Sequence, residues 1–148
     1  MERRSEFRHQ TFERGSIPWT FRGDPVRRRG GGRCILVVED DVVLADQVSE
    51  AIAAMGFEPF GPASALEPAL AFAETQELHG ALLDVRLQLG LRVYPVAAAL
   101  RQRRIPFCFM TAYCDRQMSE FGAETVLYKP FSLLSLRAAI HTMIEAWP

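Results

Sequence analysis

Lysine is nearly missing from this chain: one, Lys129, stands against sixteen arginines in 148 residues. No apolar run approaches the roughly 20 residues that a membrane helix requires, and the first residues lack the short apolar core of a secretory signal. The expectation is a cytoplasmic protein without a membrane partner. Cysteine is scarce as well. Cys34, Cys108 and Cys114 are odd in number and lack metal-ligand spacing, which argues against a disulfide framework or a thiolate metal site. Reduced thiols are expected, with an exposed redox-sensing Cys114 as the alternative.

At 16.7 kDa and 49% hydrophobic residues the chain is long enough for one core and too short for two. Its charge is uneven. Residues 1–33 carry nine arginines and four acids, whereas the remainder carries eight bases and fourteen acids. An acidic body does not suggest a nucleic-acid surface. The Arg-rich first 32 residues show neither strand nor helix periodicity and end in Arg27-Arg28-Arg29-Gly30-Gly31-Gly32, so they are expected to be a disordered extension. Phe7, Phe12, Ile17, Trp19 and Phe21 leave room for a weak docking segment, and the basic tail alone would support a nucleic-acid or membrane binder.

From residue 33 to 148 the pattern becomes a folded domain in which short apolar runs alternate with amphipathic stretches. Cys34 to Val38 is continuously apolar and β-branched, as in a strand buried on both faces. A helix is expected from about Val42 to Met55, stopped by Gly56. A strand near Phe57 to Phe60 follows, then a helix opened by Ser64 and Glu67 at capping-box spacing. Gly80 to Leu83 is a strand that ends at Asp84. A helix from about Val93 to Arg103, a strand from Phe107 to Met110, a short or ragged helix after Thr111, a strand from Val126 to Tyr128 and a helix opened by Ser132 complete the series. Alternation of this kind predicts a parallel sheet with helices on both faces and functional groups at the carboxyl ends of the strands.

Those ends carry Glu39, Asp40 and Asp41, then Asp84, Thr111 and Lys129. Converging carboxylates repel one another unless a cation neutralises them. An oxygen-only ligand set favours magnesium, which commonly joins carboxylates to a phosphoryl group. Asp84 can then be a carboxylate nucleophile, Thr111 a hydrogen-bond partner of a phosphoryl oxygen, and Lys129 its charge partner. A dehalogenase-type hydrolase would want a second acid two places beyond the nucleophile, where this chain has Arg86.

The blocks ILVVEDD (Ile35–Asp41), LLDVRL (Leu82–Leu87), FMTAY (Phe109–Tyr113) and YKPF (Tyr128–Phe131) resemble the signature blocks of response-regulator receiver domains of the CheY-like type. The resemblance implies a flavodoxin-like, doubly wound sheet of five parallel strands in order 2-1-3-4-5; in this sequence the fourth helix is expected to be short or disordered. It also implies Asp84 as phosphoacceptor, and Glu39, Asp40, Asp84 and the backbone carbonyl of Arg86 as Mg2+ ligands. Thr111, the backbone of Ala112 and Lys129 would bind the phosphoryl group, Thr111 as the switch hydroxyl that moves towards it, and the peptide to Pro130 would be cis. Three features depart from the family pattern: the shortened loop Leu87-Gln88-Leu89-Gly90, the short interval from Thr111 to Lys129, and Val126 where a rotating aromatic is usual.

The run IPFCFMTAY is similar to stand-alone receivers of the FAT GUY family, which elsewhere work with histidine kinases of the HWE type. The expectation is a single-domain response regulator in a two-component phosphorelay. It would take its phosphoryl group from a histidine kinase or a phosphotransfer protein, carry no DNA-binding output domain, and not be an enzyme beyond slow loss of its own phosphoryl group. A phosphorylation-independent interaction module with the same fold is the alternative.

Overall fold

Three apolar runs that tolerate no water on either face form the middle of a parallel sheet in the computed structural model, which describes residues 32–113, 116–121 and 125–148. They are β1 (Cys34–Val38), β3 (Gly80–Asp84) and β4 (Phe107–Thr111), and every residue in them is buried. The edges are β2 (Glu58–Ala63) and β5 (Thr125–Tyr128). All pairings are parallel, in the order β2-β1-β3-β4-β5. This is the flavodoxin-like architecture that the resemblance implied, and it has the parallel sheet expected from the alternation. The Arg-rich extension and Cys114 lie outside the described residues.

Strand periodicity of two divides the core. Leu36, Val38, Ala81, Leu83, Phe107 and Phe109 face one way, against α2 (Leu66–Thr75) and α3 (Tyr94–Gln102). Ile35, Val37, Leu82, Cys108 and Met110 face the other way, against α1 (Val42–Ala54) and α5 (Leu133–Glu145). Neither Cys34 nor Cys108 is in a disulfide, and burial pushes the Cys108 thiol up to about 12, so it behaves as a small apolar side chain.

The fourth helix is a single turn, α4 (Arg116–Ser119), as the short interval after Thr111 implied. Ser132 caps α5 through its side chain, which accepts from the Ser135 N–H at 3.1 Å. The capping box expected at Ser64 and Glu67 does not form; α2 starts one residue later, with Ala65 at the cap and no side-chain bond there. Pro68 is the reason. A helix capped at Ser64 would need its first backbone bond from residue 68, which has no N–H, so the first available donor is Ala69, which bonds Ala65 O.

Strand β2 also runs later than expected, through Gly61 and the cis Gly61–Pro62 bond, because its pairing with β1 extends from Cys34–Glu58 to Val38–Ala63. Gly61 has φ +99°, and a Cβ there would lie 2.8 Å from Ala63 N and 2.9 Å from Val37 O. Both contacts are backbone, so neither can step aside. Gly61→Ala should therefore cost more than about 2 kcal/mol in urea denaturation; an unchanged midpoint would contradict this reading of the edge strand.

Candidate functional site

Parallel register brings the strand ends level. Val38 pairs with Leu83, Asp84 with Met110, and Thr111 with Tyr128, so Glu39, Asp84, Thr111 and Lys129 emerge side by side from four neighbouring strands. Two backbone bonds tighten the array: Glu39 N–H to Ala63 O at 3.0 Å and Lys129 N–H to Thr111 O at 2.8 Å. Glu39, Asp84 and Thr111, only 2%, 6% and 3% exposed, are the buried polar residues among the described ones, and all three are here. Buried polar groups need partners, and the site supplies them.

The Lys129 ammonium lies 2.9 Å from Glu39 Oε2 and 3.3 Å from Asp84 Oδ1. The second oxygen of Glu39 accepts from the Asp41 N–H at 3.1 Å, and Asp84 Oδ1 faces the Arg86 N–H at 3.4 Å. Glu39, Asp40 and Asp84 each offer a carboxylate oxygen, all within 4.8 Å of one another. One ammonium offsets only part of that charge. The donors are all oxygen, without histidine or thiolate, which fits a hard dication of the magnesium or calcium kind.

No family model matches the chain. SdrG from Sphingomonas melonis Fr1, known from a solution structure, is 31% identical over 78% of this chain and 95% of that one, with a TM-score of 0.64. The receiver domain of the sensor histidine kinase PA1611 from Pseudomonas aeruginosa PAO1 is 26% identical over 78% of this chain and 99% of that one, with a TM-score of 0.65. That crystal structure has a magnesium ion coordinated in its active-site cleft. The chain belongs to the response-regulator receiver family. The transcriptional regulatory protein PdtaR of Mycobacterium tuberculosis matches this receiver at 26% identity over 117 residues, which are 76% of this chain and 57% of PdtaR's own length.

In this receiver Asp84 titrates at about 7 instead of 3.8. Burial is the main cause, followed by a hydrogen bond to Glu39 and the repulsion of its charge; Lys129 pulls the other way. Burial works against the Lys129 ammonium, but Glu39 and Asp84 outweigh it and hold its pKa above the ordinary value.

Of the other residues singled out in the sequence, Asp40 stands beside the buried pair and is partly exposed, Ala112 follows β4 on the surface, and the Lys129–Pro130 bond is cis. Arg86 carries its backbone beside Asp84 and bridges to Arg92 across the loop after β3. Asp41 is outside the cluster. Its carboxylate caps α1, accepting from the Leu44 N–H at 3.0 Å, a role that an Asp immediately before the apolar period of a helix announces. Sequence reasoning missed Tyr113, whose backbone engages the Thr111 hydroxyl and whose ring lies 4.9 Å from the Arg86 guanidinium. No motif spacing signals such a contact.

Proposed function

We propose that this receiver accepts a phosphoryl group on Asp84 from the phosphohistidine of a histidine kinase or a phosphotransfer protein. The observation that carries the reading is a nearly buried carboxylate with a lysine ammonium at 3.3 Å and two further carboxylates within ligand distance. An Asp84 oxygen attacks phosphorus, the P–N bond breaks, and its electron pair leaves with the imidazole of the donor, giving an aspartyl phosphate. Lys129 pairs with the negative charge, and Glu39 holds Lys129 in place. Glu39, Asp40 and Asp84 are the residues that would hold Mg2+, which when bound neutralises the acid cluster and charge on the transferring phosphoryl oxygens. A magnesium ion in the corresponding cleft of the PA1611 receiver supports that assignment.

The four-residue α4 and the run from Ile105 to Tyr113 support placing the chain with receivers of the FAT GUY type, hence with kinases of the HWE type. Incubation of the full chain with acetyl phosphate and Mg2+ tests the central claim. One phosphoryl group per chain is expected by intact mass, with none in chelator and none in Asp84→Ala. No incorporation, or incorporation that survives Asp84→Ala, would sink it and leave the phosphorylation-independent module standing.

A further inference from the structure

Apolar side chains left singly in water need no explanation, but four of them gather at one end of this sheet. Val42 and Val43 open α1, Leu133 and Leu134 open α5, and all four are between 61% and 79% exposed. The two helices pack against each other on one face of the sheet, and both begin at the carboxyl ends of their strands, next to Asp40 and Lys129 in the chain. Their first turns therefore form an apolar rim beside the acid site. Along α1 the charge is of one sign: Asp41 caps the helix, Asp46 and Glu50 follow Val43 on one stripe, and the helix holds no arginine or lysine. On α5, Arg137 lies one turn beyond Leu133 and His141 one turn further.

The complement of that surface is found in the first residues of the same chain. Residues 1–33 hold nine arginines against four acids, whereas the remainder holds eight bases against fourteen acids. Among those arginines stand Phe7, Phe12, Ile17, Trp19 and Phe21, which in a purely solvated tail would all face water. Reach is sufficient. The extension meets the fold at Gly32, before the amino end of β1, and α1, which returns antiparallel to β1, finishes at that same end. The 13 residues from Trp19 to Gly32 can span roughly 43 Å when extended. The five residues of β1 cover only about 17 Å, and the 13 of α1 about 20 Å. A segment passing along the acidic stripe of α1 thus arrives at the apolar rim with length to spare.

We propose that residues 7–21 fold back onto the rim made by the first turns of α1 and α5, their aromatic side chains covering Val42, Val43, Leu133 and Leu134 and their arginines facing Asp41, Asp46 and Glu50. A protein that approaches Asp84 from this side must displace the extension first. The docking itself does not depend on the phosphoacceptor reading, since it uses none of the groups that would hold phosphorus or metal.

Trp19 reports on it in the full chain. Replacing Trp147, which packs on His79 at the opposite end of the sheet, with Phe leaves Trp19 as the sole tryptophan. In that protein acrylamide should quench Trp19 about threefold less readily than in the same chain carrying Val43→Asp and Leu134→Asp, because the docked state is the major one. Both positions are exposed, and the pair Val43→Ser and Leu134→Ser repeats the test should the aspartates disturb folding. Asp46→Arg with Glu50→Arg should release Trp19 as well, and so should about 0.5 M salt, in part, by screening the charges. The protection should hold across a wide dilution series, as an intramolecular contact requires.

A Trp19 quenched as freely as a tryptophan amide in water would overturn the proposal; protection then regained on anionic vesicles or on duplex DNA would assign the extension to a membrane or a nucleic acid instead. Protection unchanged by the substitutions at Val43 and Leu134 would place the segment elsewhere, and protection lost on dilution would make the occupant a second copy. Either result ends the intramolecular reading, whether or not Asp84 takes a phosphoryl label.

Discussion

Asp84→Asn is expected to accept no phosphoryl group and yet to leave the metal-free protein more stable than its parent above pH 7. The carboxylate is 6% exposed, faces Glu39, and titrates at about 7 in the fold against 3.8 when unperturbed. Between those values the folded protein keeps a proton that the unfolded chain has released. Stability from this group is therefore fully present below the unfolded value and is lost as pH rises through the folded one. Allowing for water at the mouth of the site, the loss is about 2 kcal/mol. Asn keeps the shape without the charge. Melting in chelator should show the parent weakening between about pH 5 and pH 8 while Asp84→Asn stays level across that range. Parallel curves for the two proteins would refute the electrostatic account.

Lys129→Met should produce the opposite change at the same centre. Its ammonium is shared between Glu39 at 2.9 Å and Asp84 at 3.3 Å, and removing it leaves two desolvated carboxylates with no counterion from the protein. Removing one partner from a buried pair typically costs 3–5 kcal/mol, and because the Lys129 side chain is 23% exposed, about 2–3 kcal/mol is expected. Lys129 lowers the pKa of Asp84, so without it the carboxyl keeps its proton to higher pH. The deficit should consequently be largest above pH 8, where Asp84 must ionise against Glu39, and should shrink towards about pH 5. Urea denaturation in chelator at the two pH values measures it. A variant as stable as the parent at the higher pH would show that the carboxylates are better solvated than their burial indicates.

Much of this arrangement was legible in the residues, for identifiable reasons. A strand buried on both faces must be continuously apolar, so Cys34–Val38 and Phe107–Met110 announce themselves, and the helical period from Leu133 to Trp147 does the same for α5. The solitary lysine marked Lys129 before any fold was considered. Features that depended on a competing contact were less legible. Ser64 and Glu67 had capping-box spacing, but the missing N–H of Pro68 moved the start of α2. Strand β2 was displaced by its register with β1, which nothing in its own weak pattern encodes.

Local periodicity, 2 for strands and 3.6 for helices, is written into the order of side chains. By itself it therefore determined the α/β class, the succession of elements, and the fall of acids, threonine and lysine at strand ends. Proximity across strands is different, since it depends on strand order and register. Only the tertiary structure decided that Glu39, Asp40 and Asp84 converge while Asp41 turns away to cap α1, and that Lys129 reaches both Glu39 and Asp84. It also decided that the Arg86 guanidinium meets the Tyr113 ring, because that contact follows from how two loops meet over parallel strands.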